Sequence, residues 1–333
     1  MIPVLSARHV EAAVSPARAV EAVREAFVAY ARGEWSMPPK VYVPAYPAGD
    51  FRAMPALGAG HALLKWVTSF PGNPVRGLPT VTGLVLLSDA SDGSLRAALD
   101  AGAVTALRTG AAAVLAAETL GRQDAETAAV IGAGVNGRAA AKTFLARGRS
   151  VMLWDVDEQR ARAVADELGA DLAGSREEAF AADLLVTVTP GHEILLPEGS
   201  LRPGQHVSLM GADGPGKAEI AVAELARTRV FCDDWEQSRP SGILDPKTRV
   251  RLFADDWDQA SHNGDLAHAV EAGAITQDDV TQLGDVLAGT APGRQHDDEI
   301  TIFDSTGLAI QDLAIALAAM ESADELDLPT LDL

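Results

Sequence analysis

The chain has 333 residues, a hydrophobic fraction of 47% and a net charge of −20. That length and hydrophobic content are enough for about two domains with buried cores. The acidic balance argues against nucleic acids and anionic membrane surfaces as partners, and no uninterrupted apolar run is long enough to cross a bilayer.

The cysteine and lysine content bears on the compartment. Cys232 is the only cysteine, so an internal disulfide is excluded, and we expect it to fill the core rather than act as a nucleophile. The first residues lack the pattern of a signal peptide, so we expect a cytoplasmic protein. Only five lysines accompany the acid excess. This composition fits either a salt-rich cytoplasm or a GC-rich genome that favours arginine, and both explanations remain open.

The first third of the chain combines helix and strand patterns. Apolar residues recur at helical spacing over residues 15–32, where Pro16 suits the first helical position. A long alanine-rich helix is predicted over residues 103–120. The segments between them are predicted as strands at residues 38–54, 61–69 and 80–88, and as a loop rich in proline and glycine at residues 70–79.

A glycine motif lies in the middle of the chain. Residues 129–137 read Ala-Val-Ile-Gly-Ala-Gly-Val-Asn-Gly, an apolar run that leads into Gly-x-Gly-x-x-Gly. A helix pattern over residues 138–147 follows, and a second apolar stretch, residues 151–154, ends in Asp155. Strand, glycine turn, helix, strand and acid in this order are typical of a dinucleotide-binding βαβ unit. An ordinary glycine-rich turn is the alternative.

Each residue of the motif has a distinct expected role. Gly132 permits the tight turn, Gly134 lets the backbone approach a pyrophosphate, and Gly137 lets the helix pack on the strand. Asp155 would accept hydrogen bonds from the adenosine ribose and would repel a 2′-phosphate, which predicts NAD as the cofactor. A surface aspartate is the alternative for Asp155.

The segments around and after the motif alternate between strand and helix, which predicts an α/β fold with a doubly wound parallel sheet. More than a hundred residues precede the motif, so another domain is built first. The predicted strands are residues 127–131, 151–154, 184–187, 205–209, 229–232 and 300–303, and the predicted helices are residues 138–147, 158–168, 278–288 and 307–320.

Lys65 lies inside the apolar strand Leu-Leu-Lys-Trp-Val. A buried lysine must be paired or have a lowered pKa, so Lys65 could be an anion anchor or a poised base. Alternation puts Lys65 on the opposite face from Leu64 and Trp66. The pattern alone therefore leaves open a lysine on the solvent face of a half-buried strand.

Three further charged residues are candidates for the site. Arg52 and Arg108 could each bind a carboxylate or phosphate through two hydrogen bonds. Asp213 follows a predicted strand, at the sheet edge where ligands bind, and could transfer a proton or hold an ammonium. A turn aspartate is the alternative. The histidines show no metal-ligand spacing, so no metal site is expected.

Eight motifs are spread along the chain. They are Met-Pro-Pro-Lys-Val at residues 37–41, Arg-Ala-Met-Pro-Ala at 52–56, Lys-Trp-Val at 65–67, Pro-Gly-Asn-Pro at 71–74, Gly-Leu-Pro-Thr at 77–80, Leu-Arg-Thr-Gly-Ala-Ala at 107–112, Gly-Ala-Asp-Gly-Pro-Gly-Lys at 211–217 and Ile-Phe-Asp-Ser-Thr-Gly-Leu-Ala-Ile-Gln-Asp at 302–312. With these motifs the chain resembles the ornithine cyclodeaminase/μ-crystallin family nearly from end to end. Within that family it is most similar to the branch of archaeal alanine dehydrogenases.

The resemblance implies a domain arrangement and a set of site residues. A Rossmann NAD-binding domain, residues 116–303, would be inserted into an α+β substrate and dimerisation domain, residues 1–115 and 304–333, of a homodimer. Arg52 and Lys65 would hold the amino-acid carboxylate, Lys65 would also be catalytic, and Asp213 would act near the substrate nitrogen. The dinucleotide contacts implied are Thr80, Arg108, Thr109, Gly132, Gly134, Val135, Asn136, Gly137, Asp155, Thr187, Gly211 and Ser305.

The expected activity is the reversible NAD-dependent oxidative deamination of L-alanine to pyruvate and ammonium. Ornithine cyclodeaminase activity, which converts L-ornithine to L-proline, and reduction of a cyclic ketimine such as pyrroline-2-carboxylate are the alternatives. A non-catalytic dinucleotide-binding protein of the crystallin kind is a further one. Many cyclodeaminases carry arginine where this chain has Lys40, which speaks against ornithine cyclisation.

Overall fold

A computed structural model describes residues 1–191, 193–212, 217–235 and 264–332. Within these residues the chain forms two β-sheets with helices packed on them. The α/β class predicted from the sequence is confirmed.

The first sheet is built from the start of the chain and one strand from its end. Seven described strands lie in the order β15-β1-β6-β5-β4-β3-β2, antiparallel except for the β1–β6 pair. They are β1 (Ile2–Leu5), β2 (Val41–Ala45), β3 (Gly49–Gly58), β4 (His61–Ser69), β5 (Val81–Asp89), β6 (Leu95–Asp100) and β15 (Thr330–Leu331).

Two of the helices associated with this sheet begin at side-chain caps. Ser15 accepts a hydrogen bond from the backbone of Arg18 at the start of α2, and Asp100 accepts one from Ala103 at the start of α3. These caps satisfy backbone N–H groups that lack a partner within the helix. The helices are α1 (Ala7–Ala13), α2 (Pro16–Ala31) and α3 (Ala101–Leu120).

Helix α3 is long and apolar enough to cross a membrane by length and composition, but 78% of its most apolar 18-residue stretch is buried inside the protein. It packs against α2 on one side and contacts the second sheet on the other. This is the arrangement of a core helix, which explains its uniform alanine-rich composition.

The second sheet is parallel throughout and follows the glycine motif. Its eight described strands lie in the order β13-β12-β14-β11-β10-β7-β8-β9. The strands are β7 (Ala128–Ile131), β8 (Met152–Trp154), β9 (Asp171–Leu172), β10 (Leu184–Thr187), β11 (His206–Leu209), β12 (Arg229–Cys232), β13 (Val280–Gln282) and β14 (Thr301–Asp304). The helices are α4 (Val135–Ala146), α5 (Glu158–Leu168), α6 (Arg176–Phe180), α7 (Val222–Leu225), α8 (Asp265–Glu271) and α9 (Leu283–Ala288).

The chain returns from the second sheet to the first through one connection. Strand β14 lies between β11 and β12, and residues 305–308 lead from it into the last helix, α10 (Ala309–Glu321). Helix α10 packs against α2, α3 and the inner face of β3, β4 and β5. The connection therefore passes between the two sheets, where the candidate site lies.

Most predicted elements agree with the structure, but one predicted helix is wrong and several short elements were not predicted. The single helix predicted over residues 278–288 is wrong, because residues 280–282 pair with β12 as strand β13 and the helix begins only at Leu283. Val280, Leu283 and Val286 have helical spacing, so the sequence pattern predicts one continuous helix and does not indicate the short strand. Strands β1 and β6 were not predicted. Cys232 is fully buried, as expected.

Candidate active site

The glycine turn has the geometry that a dinucleotide-binding loop requires. Gly132 has a φ of +107°, and a Cβ at that position would lie 2.7 Å from the carbonyl oxygen of Val188. Gly137 packs directly on the carbonyl of Gly132, where no side chain fits. Gly134, the N-cap of α4, has nothing within 4 Å of a Cβ position. The open space before the α4 N-terminus can accept a phosphate group.

Asp155 directly follows β8 and faces this turn. Its carboxylate accepts hydrogen bonds from the backbone of Ala133 at 2.7 Å and of Asp157 at 2.8 Å. Arg160 approaches the same carboxylate at 3.7 Å. The acid is thereby fixed beside the turn, the position in which a Rossmann acid meets the adenosine ribose.

Lys65 is buried, so the alternative of a surface lysine is wrong. The side chain is 1% exposed, whereas its neighbours Leu64 and Trp66 are 39% and 42% exposed on the outer face of the sheet. The reason is that β4 carries apolar residues on both faces, so alternation could not tell which face is inside. Lys65 points instead toward α3 and α10.

The ammonium of Lys65 has two described partners. Its Nζ lies 2.7 Å from Oδ2 of Asp312 and donates to the hydroxyl of Thr105 at 3.4 Å. Burial is the main cause that lowers the pKa of Lys65 to about 8; the negative charge of Asp312 opposes this shift, and the positive charges of Arg108 and Arg52 contribute to it. A lysine with such a pKa can exchange a proton near neutral pH.

Arg52 lies beside Lys65, on the adjacent strand β3. Its guanidinium contacts the carboxylate of Asp50, with Nε 2.6 Å from Oδ1 and Nη2 3.2 Å from Oδ2. The guanidinium also lies over the ring of Tyr42, 5.2 Å from its centroid. Two neighbours thus hold a buried cation in one orientation, which suits the binding of a carboxylate.

A small cavity of about 60 Å³ brings the two sets of predicted site residues together. It lies between the inner face of the first sheet and the carboxyl edge of the second. Its lining includes the predicted substrate residues Arg52 and Lys65 and the predicted cofactor residues Arg108, Thr109, Asn136 and Ser305. Met54 and Val67 form part of its apolar wall, and Met210 lines it as well.

The remaining predicted cofactor residues lie outside this cavity lining. Val135 is exposed at the start of α4, and Thr80 directly precedes Val81, which does line the cavity. Thr187 is fully buried, and its hydroxyl donates to Glu219 at 2.8 Å. The backbone of Gly211 donates to the same carboxylate at 3.0 Å. The contacts of all the predicted cofactor residues with a dinucleotide stay predictions, as does the role of Asp213, which lies outside the described residues.

Sequence reasoning missed several residues at the site. Lys40 lines the cavity, and its Nζ donates to the carbonyl of Thr306 at 2.6 Å. Thr105 and Asp312 contact Lys65 as described above. Asp312 lies in the largely apolar helix α10. An acidic residue in such a helix is unusual, and this feature of the sequence could have indicated Asp312 as a candidate site residue.

A buried aspartate holds the connection that leads into α10. Asp233 accepts hydrogen bonds from the Ser305 hydroxyl at 3.1 Å and from the Gly307 backbone at 2.8 Å. The guanidinium of Arg108 lies against Gly307, where a Cβ would be 2.6 Å from Nη1. Asp233 and Gly307 therefore fix the wall of the cavity that faces the second sheet.

The described residues contain no cluster of histidine, cysteine or acidic side chains that could hold a metal ion. A glycine turn with the geometry of a dinucleotide-binding loop, with an acid at the end of the next strand of a parallel sheet, defines a Rossmann dinucleotide-binding protein. A buried lysine and a buried arginine line the cavity at the carboxyl edge of this sheet.

Comparison with known proteins identifies the family. The profile of the ornithine cyclodeaminase/mu-crystallin family matches residues 3–326, and the chain belongs to this family. It is 39% identical to the alanine dehydrogenase of Archaeoglobus fulgidus over 328 residues, which are 96% of this chain and 94% of that protein. It is also 33% identical to the iminosuccinate reductase of Paracoccus denitrificans, over 76% of this chain and 74% of that protein.

Two solved structures have the same fold. An archaeal alanine dehydrogenase dimer with bound NAD aligns with a TM-score of 0.85 at 39% identity, over 97% of this chain and 96% of that one. The Thermococcus litoralis Δ1-pyrroline-2-carboxylate reductase with NADH and L-proline aligns with a TM-score of 0.86 at 26% identity, over 99% of this chain and all of that one. The glycine turn and Asp155 of the present protein fit the same cofactor.

Proposed function

We propose that the protein catalyses the reversible oxidative deamination of L-alanine by NAD and water to pyruvate, ammonium, NADH and a proton. The observation that carries this proposal is the character of the cavity. Its described lining contains four basic side chains and no acidic one, beside the apolar wall of Met54 and Val67. A small apolar amino acid with one carboxylate matches these surroundings.

The same lining argues against ornithine. The side-chain ammonium of ornithine would enter a space bordered by Lys40, Arg52, Lys65 and Arg108, with no described acid in the lining to receive it. Bringing like charges together in a desolvated site is costly.

Each residue has a step in the proposed reaction. Arg52 binds the substrate carboxylate, and the Lys65 amine accepts a proton from the alanine ammonium, which leaves the nitrogen lone pair free to form the imine as hydride leaves Cα. Bound NAD supplies the hydride acceptor. Asp213 assists addition of water to the imine and the departure of ammonium. The buried walls exclude bulk water and keep the reactants in one cavity.

The outer face of the first sheet supports a homodimer as part of the proposal. Trp66 is paired across the sheet with Leu84 and Ala53, and Ala53 is paired with Val41, so that an apolar row crosses four strands. Val41 and Leu84 are more than half exposed. A contiguous exposed apolar face on a sheet is typical of a covered interface. We propose that a second copy of the chain covers this face. We also propose that the protein is cytoplasmic.

A substrate panel tests the proposed activity. L-alanine, other small L-amino acids and L-ornithine are each supplied with NAD, and pyruvate with ammonium, pyrroline-2-carboxylate and iminosuccinate with NADH. We expect the highest kcat/KM with alanine and with pyruvate plus ammonium. Proline formation from ornithine without net NADH would identify a cyclodeaminase instead. A higher kcat/KM with pyrroline-2-carboxylate would identify a cyclic ketimine reductase.

A further inference from the structure

Asp312 is the one described acid in ion-pair contact with the buried lysine of the site. Its carboxylate lies 2.7 Å from Lys65 Nζ, and its other oxygen lies 3.8 Å from Nε of Arg108. The Asp312 side chain is fully buried, and Lys65 is 1% exposed. Asp312 is absent from the cavity lining, so its carboxylate stands behind the two cations rather than facing the substrate.

The fold holds the carboxylate of Asp312 in a fixed position, unlike the mobile side chains of an ion pair at the protein surface. The residue lies in the first turn of α10, where the helix dipole favours a negative charge. The backbone that precedes this turn is anchored by Asp233 through Ser305 and Gly307. Lys65 has four side-chain carbons and would otherwise have several rotamers available. The carboxylate and Thr105 together select one of them.

We propose that Asp312 is a positioning residue, which holds the Lys65 ammonium against the cavity. The proposal rests on the proposed function in that Lys65 is the group that exchanges a proton with substrate. Asp312 does not line the cavity and acts through Lys65. The charged groups that face Lys65 among the described residues are Asp312 on α10, Arg108 on α3 and Arg52 on β3.

A kinetic double-mutant cycle tests the proposal. Asp312→Asn keeps the shape of the side chain and removes its charge. We expect it to lower kcat by at least about tenfold, with a smaller change in KM, because proton transfer depends on the placement of Lys65. In a Lys65→Met background the same change should have an effect of less than about twofold. Equal losses in both backgrounds would mean a structural role and would overturn the proposal.

A second measurement reads Lys65 directly and needs no substrate. The chain has only five lysines, so proteins with 13Cε-labelled lysine give a resolvable NMR titration, assigned by the missing signal of Lys65→Met. Asp312→Asn should lower the pKa of Lys65 by about one unit or more, since an opposite charge in contact raises a lysine pKa. An unchanged Lys65 titration would overturn the proposal. If the wild-type protein shows no activity with alanine, the proposed function is refuted, but the NMR titration of Lys65 still tests the role of Asp312.

Two further variants separate charge, position and fold. Asp312→Glu keeps the charge but displaces it, so we expect a Lys65 titration close to that of the wild-type protein together with a reduced kcat. If Asp312→Asn does not fold, Asp312→Glu serves as the test in its place. A kcat of Asp312→Glu equal to that of the wild-type protein would overturn the proposal. Gln311→Met perturbs the same buried turn without contacting Lys65. It should leave the Lys65 titration unchanged, and a shift like that of Asp312→Asn would again indicate a structural effect.

Discussion

Asp50 and Arg52 lie two residues apart on β3 and face the same side, so that the carboxylate meets the guanidinium at 2.6 Å. Both side chains are buried at the inner face of the sheet. The acid therefore orients the arginine toward the cavity, and Lys65 and Arg108 add two further positive charges to the lining of this cavity.

Arg52→Lys should weaken substrate binding although it keeps the positive charge. A lysine cannot reproduce two parallel hydrogen bonds to Asp50 while it binds a substrate carboxylate. We expect the KM for L-alanine to rise by about tenfold or more, with a smaller change in kcat. Steady-state kinetics measure both, and NADH binding followed by fluorescence is the control for folding. A KM equal to that of the wild-type protein would show that Arg52 does not hold the carboxylate.

The cofactor preference should depend on Asp155. A carboxylate repels a 2′-phosphate placed within a few ångströms, so the wild-type kcat/KM with NAD should exceed that with NADP by at least about tenfold. Asp155→Asn removes the charge but keeps an oxygen that can accept the hydrogen bond from Ala133, and it should narrow this ratio. The thermal unfolding temperature serves as the control for the glycine turn. Similar kcat/KM values for the two cofactors in the wild-type protein would contradict the assignment.

His206 should make the protein sensitive to acid. It is fully buried on β11, where its ring nitrogens meet the hydroxyls of Thr301 at 2.9 Å and Ser208 at 3.0 Å. Burial, with a smaller contribution from Arg294, lowers the pKa of His206 to about 3. The unfolded chain binds the proton first, near the ordinary pKa of about 6.5, so the stability from neutral His206 is complete above that pH and falls as the pH decreases.

The variant His206→Gln isolates this effect from other titrating groups. The difference in unfolding free energy between the wild-type protein and the variant should shrink by about 1.4 kcal/mol for each pH unit below about pH 6. Urea unfolding at several pH values between about 7.5 and about 4.5 measures it. A difference that does not change over this range would mean that His206 is not held neutral.

The apolar row on the outer sheet face should control the oligomeric state. Leu84→Glu places a charge in the centre of the proposed interface, whereas Val156→Glu adds the same charge at an 86% exposed position in the second sheet's half of the chain. We expect the wild-type protein and Val156→Glu to be dimers by analytical ultracentrifugation, and Leu84→Glu to dissociate. A monomeric wild-type protein, or a dimeric Leu84→Glu, would remove this face as the interface.

Much of the fold could be predicted from the sequence because its signals are local. The glycine turn needs three glycines at fixed spacing, and the cap residues Ser15 and Asp157 precede helices of clear periodicity. The short strand β13 could not be recognised, since its pairing with β12 is a contact between distant parts of the chain. Strand existence in such cases is decided by tertiary packing.

The candidate site was harder to predict than the fold, for the same reason. The pattern around Lys65 allowed either face to be buried, and only the packing of α10 and α3 on the sheet decides between them. Asp312 lies 247 positions further along the chain and meets Lys65 only after the chain returns from the second sheet. The spacing of residues around Lys65 or around Asp312 therefore cannot predict that these two side chains are in contact.

The most direct test of the proposed reaction follows the hydrogen on Cα of alanine. The protein is incubated with NAD and L-alanine that carries deuterium at Cα, and the NADH formed is examined by mass spectrometry. The proposed hydride transfer predicts deuterated NADH and an equal amount of pyruvate. In the control reaction with ordinary alanine, the NADH should be unlabelled. NADH without deuterium, or no NADH from alanine while another substrate of the panel is turned over, would contradict the proposal.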